Sequence, residues 1–176
     1  MKTEWMLVLA LVLGSGCVRD GAIARFDEFE NRYLNHHTVW ALDEKESQSY
    51  DGALAALKAE HSGDPTLSRL IDWRRTTLEA NRALHESARL RALVNPMDED
   101  CRESGRLKRA RAESEQAVRL LNEAKAGAAA LSGEKAESVI PLAQEEKTIG
   151  FLAGSEQSEL DALKKMEQYA CEKRFS

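Results

Sequence analysis

The residues able to do chemistry are few, and their spacing excludes most of the common options. The four histidines fall as His36 and His37 side by side, His61, and His85, with no HExxH pattern. Neighbouring positions on a helix point about 100° apart, so His36 and His37 cannot readily share one metal ion. His37 is expected half-buried and His36 solvated. Cysteines stand singly at 17, 101 and 171, without the CxxC spacing of a zinc site. Asp98-Glu99-Asp100 follow Asn95-Pro96, where acidic side chains favour the positive end of a new helix. They supply too few oxygens for a calcium loop. The pair Glu145-Glu146 reads as a solvated helix face. Serines are plentiful, but there is no GxSxG, SxxK or glycine-rich phosphate loop, so neither a catalytic residue nor a cofactor is indicated.

One cationic row is a binding candidate. Arg102, Arg106 and Arg109 follow i, i+4, i+7 spacing on one helix face, with Lys108 and Arg111 beside them. Such a row suits lipid phosphates, an acidic glycan or an acidic protein. Against this, Glu99, Glu103 and Glu113 are spaced to pair with the same arginines. The total charge of −5 in 176 residues gives no global argument for nucleic acid. It hides an uneven distribution: residues 17–64 carry 5 basic against 10 acidic side chains, residues 65–130 carry 13 against 10, and residues 131–176 carry 6 against 9.

The N-terminus has a different character. Lys2 precedes an apolar run from Trp5 to Leu13, which ends in Gly14-Ser15-Gly16-Cys17. Nine apolar residues suit the core of a signal peptide and fall short of the ~20 that span a bilayer. Leu13-Gly14-Ser15-Gly16-Cys17 resembles the lipobox of bacterial lipoproteins, although Leu usually stands three positions before the Cys and Gly14 occupies that place here. The resemblance covers residues 1–17 only. It implies that Cys17 carries the lipid and begins the mature chain, with residues 1–16 removed. Val18, not Asp, after the Cys implies transfer to the outer membrane, with the protein anchored by acyl chains and facing the periplasm. The other reading is a secretory signal cut after Gly16.

With Cys17 assigned to the lipid, Cys101 and Cys171 remain in an oxidising compartment, where a single disulfide is the simplest reading. Two free buried thiols are the alternative.

The elements that must position these groups are helical. Phe26, Phe29, Tyr33, His37 and Trp40 give an amphipathic helix over about 21–45, and Tyr50, Ala53, Leu54 and Leu57 a second near 48–61. Asp64-Pro65 caps a third, which carries Leu67, Leu70, Ile71, Leu78, Leu84 and Ala88 to about Val94. A fourth, with Leu107, Ala110, Ser114, Ala117, Leu121, Ala124 and Ala128 near heptad spacing, reaches about Leu131. Pro141, Gly150 and Gly154 predict interruptions. The last helix is expected over about 155–174, capped by Ser155, with Leu160, Leu163, Met166 and Tyr169 or Ala170 inward.

No Phe, Tyr or Trp lies between Arg74 and Gly150. A long stretch built on Leu, Ala and Val predicts a slender hairpin, with the aromatic N-terminal helices at its base. The expected fold is therefore all-α: an elongated antiparallel helical hairpin or bundle in a single domain, 26–176, behind a short linker at 17–25. The bridge, if formed, requires residues 134–174 to run as a kinked third strand that brings Cys171 towards Cys101.

Ala53, Leu57 and Pro65 also sit where the second helix of a tetratricopeptide unit would have them. A 34-residue shift, however, puts Arg74, Arg75 and Arg91 at its small or apolar positions. The function expected is binding or scaffolding of an envelope protein, as in an assembly or secretion accessory factor. The alternative is an envelope enzyme or enzyme inhibitor whose site assembles only in space.

Overall fold

The computed structural model describes residues 21–34, 38–94, 105–132 and 142–172, excluding the side chains of residues 132, 143, 171 and 172. Among the described residues the chain is all-α, with five helices packed against one another: α1 (Gly21–Leu34), α2 (Glu44–Glu60), α3 (Pro65–Ala92), α4 (Arg106–Ser132) and α5 (Leu142–Glu172). A 3-10 turn, Val39–Ala41, lies between α1 and α2. The three long helices, of 28, 27 and 31 residues, form an elongated antiparallel bundle, and the short aromatic helices pack at its base. At 1.5 Å per residue each long helix spans about 40–46 Å.

Side-chain pairs fix the directions. Arg25 of α1 meets Asp64 at the start of α3 (3.0 Å), and Glu30 meets Arg74 further up, so α1 rises alongside α3. α2 descends, because Arg82 donates to the Ser47 carbonyl, Arg75 to Asp51, and Lys58 pairs with Asp72. α4 descends and α5 rises again, bringing Leu163 to Leu90, Leu107 and Ala110 at the far end, or tip. The base end thus gathers Gly21, the His61–Asp64 turn, Leu131 and Leu142.

Local chemistry explains why one expected helix is two. Asp43 accepts from the Glu46 amide (2.8 Å) while the Glu46 carboxylate accepts from the Asp43 amide (3.0 Å), a reciprocal capping box that starts α2 at Glu44. Below it, Asn81 of α3 donates through Nδ2 to the Val39 carbonyl (2.9 Å), holding the 3-10 turn away from a helical path. The single helix over 21–45 is therefore replaced by α1, the turn and α2. His36 and His37 lie outside the described residues.

The second correction concerns α5, which runs unbroken from Leu142 through Gly150 and Gly154. Pro141 precedes the helix in sequence instead of interrupting it, and a glycine inside a helix costs only about 1 kcal/mol relative to alanine. Ser155 is a mid-helix residue and not a cap. The buried stripe of α5 is Leu142, Ile149, Ala153, Glu156, Leu160 and Leu163, so Met166 and Tyr169, expected inward, are exposed.

The seams between the long helices differ in kind. α4 lies close against both α3 and α5 along their lengths, because Ala110, Ala117, Ala124, Gly127 and Ala128 face its neighbours. An added Cβ on Gly127 would lie 2.8 Å from Cδ1 of Trp73, whose indole donates to the Ala124 carbonyl (3.0 Å). Backbones of α3 and α5 stay further apart, and long polar side chains bridge the distance.

Candidate functional site

The wide α3/α5 seam holds the polar groups that a core this apolar would not retain without partners. At its lower end Arg74 is fully buried, on the face of α3 that also carries Leu67, Leu70, Ile71 and Leu78. Its Nε donates to Glu30 Oε1 (2.8 Å) and its Nη2 to Glu30 Oε2; Nη1 donates to both oxygens of Glu145 (3.0 and 2.8 Å). Tyr50 of α2 donates its hydroxyl to Glu30. Four helices therefore converge on one guanidinium, whose planar fork suits two carboxylates at once.

Burial opposes the charge on Arg74, but Glu30 and Glu145 more than offset it and leave the group above its ordinary pKa. Burial, reinforced by Glu30, pushes the Tyr50 hydroxyl upward and keeps it neutral. Glu145 is thus an ion-pair partner and not the solvated residue expected from its sequence.

At the upper end the charge pattern is inverted. The Glu156 carboxylate, its side chain only 4% exposed, accepts from Ser114 Oγ (2.7 Å), from Ser87 Oγ and from Arg91 Nη1. The two hydroxyls lie 3.0 Å apart. Arg91 is 21% exposed and also approaches the exposed Glu159 at 3.8 Å. Here an acid occupies the centre and its cation stands at the rim.

Between the two clusters the seam opens into a hollow of about 420 Å³, walled by Trp40, Leu84, Ala88 and Leu152 and ending on Arg91 and Glu156. On the far side of Asn81 and His85 a second hollow, of about 610 Å³, lies between the start of α2 and α3, bordered by Leu42, Ser47 and Arg82. The apolar walls and charged end suit a partner side chain or an amphipathic ligand. Ser87 and Ser114 are closed to solvent and already bonded to carboxylate or guanidinium, so neither presents a nucleophile to the hollow. Among the described residues no group of three His, Cys, Asp or Glu side chains is arranged to hold a metal ion.

Of the cationic row, Arg106 and Arg109 lie exposed at the tip, and Arg106 donates to the Leu93 carbonyl (3.4 Å). Arg102 lies outside the described residues. The flanking Lys108 and Arg111 are drawn into the α4/α5 seam, both to Glu167. The structure thus separates a row that looked continuous into exposed and neutralised members. Cys17 and Cys101 also lie outside the described residues, as does the Cys171 side chain; the end of α5 that carries Cys171 reaches the tip.

Neither buried cluster was identified from the sequence. A signal was present: Arg74, Ser87 and Glu156 each interrupt an apolar stripe at a core position, three or four residues from Ile71 and Leu78, Leu90, or Ala153 and Leu160. No family model, no curated protein and no solved structure matches the chain.

Proposed function

We propose that the protein is a lipid-anchored envelope lipoprotein whose helical domain binds or scaffolds a partner protein on the periplasmic side, with Cys17 as the lipid site and the outer membrane as its location. The observation that carries this reading is Leu13-Gly14-Ser15-Gly16-Cys17 following an apolar run, four residues before the first residue of α1. No helix among the described residues is long and apolar enough to cross a membrane, which is compatible with an anchor supplied by acyl chains. The closed serines and the partnered carboxylates of the wide seam favour binding over catalysis, and the seam's apolar hollow gives a partner side chain a place to insert. Metabolic labelling with a lipid precursor tests the anchor: wild type takes up label and partitions with membranes, and Cys17→Ser does neither. Unlabelled wild type refutes the reading. Recovery of the labelled chain from cross-linked envelope fractions then identifies the partner, and loss of the cross-link in Leu152→Glu assigns the hollow.

A further inference from the structure

The outward faces of the long helices are unlike one another. That of α3 is covered by α1 and α2. α4 turns Arg109, Gln116, Arg119, Asn122, Glu123 and Ala126 outward, a mixed-charge surface without a ring. α5 instead exposes Phe151 (76%) and Tyr169 (57%). These rings are 18 residues apart, five helical turns, so they project in the same direction about 27 Å from each other. Lys147 and Lys165 have the same 18-residue separation, each one turn before a ring, and both are exposed. Between the two Lys–aromatic pairs the same face presents Gly154, Ser155, Ser158 and the half-buried Ala162, small side chains that leave both rings standing proud, with the exposed Glu159 at one margin. Asp161 lies at the other margin, where Gln157 donates to it (2.9 Å).

We infer that this face of α5 lies against the lipid surface, the rings entering the headgroup boundary and the two lysines reaching anionic headgroups. A ring with a lysine one turn away matches the boundary chemically, since one part is apolar and the other carries the compensating cation. The reach of the anchor permits it. Three residues lie between Cys17 and Gly21, so the two are at most about 14 Å apart along extended chain; the base end is held at the bilayer and one long side can lie down on it. α1 borders α5 there through the shared Arg74 pairs with Glu30 and Glu145. The inference rests on the anchored reading proposed above and adds an orientation: the bundle is recumbent on this face of α5.

Full-length lipidated protein carrying 4-fluorophenylalanine, reconstituted into phosphatidylethanolamine–phosphatidylglycerol vesicles doped with a nitroxide-headgroup lipid, tests it by fluorine NMR. The Phe151 line, assigned with Phe151→Leu, is expected to broaden severalfold more than that of buried Phe26. The double variant Lys147→Glu/Lys165→Glu is expected to float with the vesicles yet show a sharpened Phe151 line. A chain that floats with Phe151 no broader than Phe26 overturns the inference, whether the bundle stands upright or another protein covers the face, and leaves the anchor intact. A wild-type chain that does not float overturns the anchored reading and this orientation with it.

Discussion

The two buried polar clusters are built from the same chemistry with the charges exchanged. Below, Arg74 is the enclosed group and the carboxylates stand nearer the surface; above, Glu156 is enclosed and Arg91 stands at the rim. The lower cluster ties α1, α2, α3 and α5 together inside the aromatic core, whereas the upper one ties only the three long helices and lies beneath a tip core of Leu90, Leu107, Ala110 and Leu163. Among the described residues the buried guanidinium has only the Trp73 ring to turn to if its carboxylates are lost, and without it Glu30 keeps only the neutral Tyr50 hydroxyl. At the upper end Arg91 can turn to Glu159 or to water, so that cluster should tolerate injury better.

The largest expected effect tests this asymmetry directly. Arg74→Met leaves Glu30 and Glu145 facing each other without a counter-charge, and should cost about 3–5 kcal/mol, the usual consequence of breaking a buried pair from one side. Chemical denaturation measures it. Glu30→Gln/Arg74→Met/Glu145→Gln removes all three charges and should recover most of the loss; failure to recover would mean that shape, not charge, makes the lower cluster essential. Glu156→Gln keeps its volume and one acceptor, so its cost should be about 1–2 kcal/mol. A loss equal to that of Arg74→Met would abolish the distinction between the clusters.

Two glycines sharpen the contrast between packed and open regions. Gly127→Ala places a methyl group 2.8 Å from the ring of buried Trp73, and overpacking of this kind costs about 1–3 kcal/mol. Near-ultraviolet circular dichroism should show the indole disturbed. Gly154 has nothing within 4 Å of an added Cβ and sits inside α5, so Gly154→Ala should stabilise by about 0.5–1 kcal/mol. A stabilising Gly127→Ala would mean that the α3/α4 seam is looser than its geometry.

Helical periodicity made the fold class, α3, α4 and the aromatic base legible, and α5 only in its second half, because Leu, Ala and ring spacing report which face is buried whatever it is buried against. It misplaced what depends on partners distant in sequence. Nothing near Glu145 reveals that Arg74, 71 residues earlier, reaches it. The split between α1 and α2 depends on Asn81 as well as on the Asp43 capping box, and the box alone could have been read from Asp43 and Glu46. Apolar residues at helical spacing imply a core, which places Met166 and Tyr169 inward; among the described residues no fourth helix covers that face at the tip. The candidate site was the least legible part, since its residues are defined by interrupting an apolar pattern.

The smallest effect concerns Asp64, where α1 and α3 meet at the base. Its carboxylate accepts from the Leu67 amide (3.0 Å), capping α3, and from Arg25 of α1 (3.0 Å). The backbone bond first, and Arg25 after it, hold its pKa below the ordinary carboxylate value of 3.8. A depressed pKa in the folded state means that the contribution is complete above pH 3.8 and is lost as pH falls below it. Asp64→Asn keeps a side-chain oxygen for the cap but cannot be ionised, so it should cost well under about 1 kcal/mol at neutral pH, as exposed pairs do. Below pH 3.8 the wild type should converge on the variant, with the two denaturation midpoints meeting as Asp64 becomes protonated. If they stay apart throughout the acid range, Asp64 stabilises the base through the shape of its cap, and the charge that joins α1 to α3 is incidental. That outcome would leave the Arg74 cluster as the principal ionic tie between α1 and the bundle, and would widen the difference between the base and the tip.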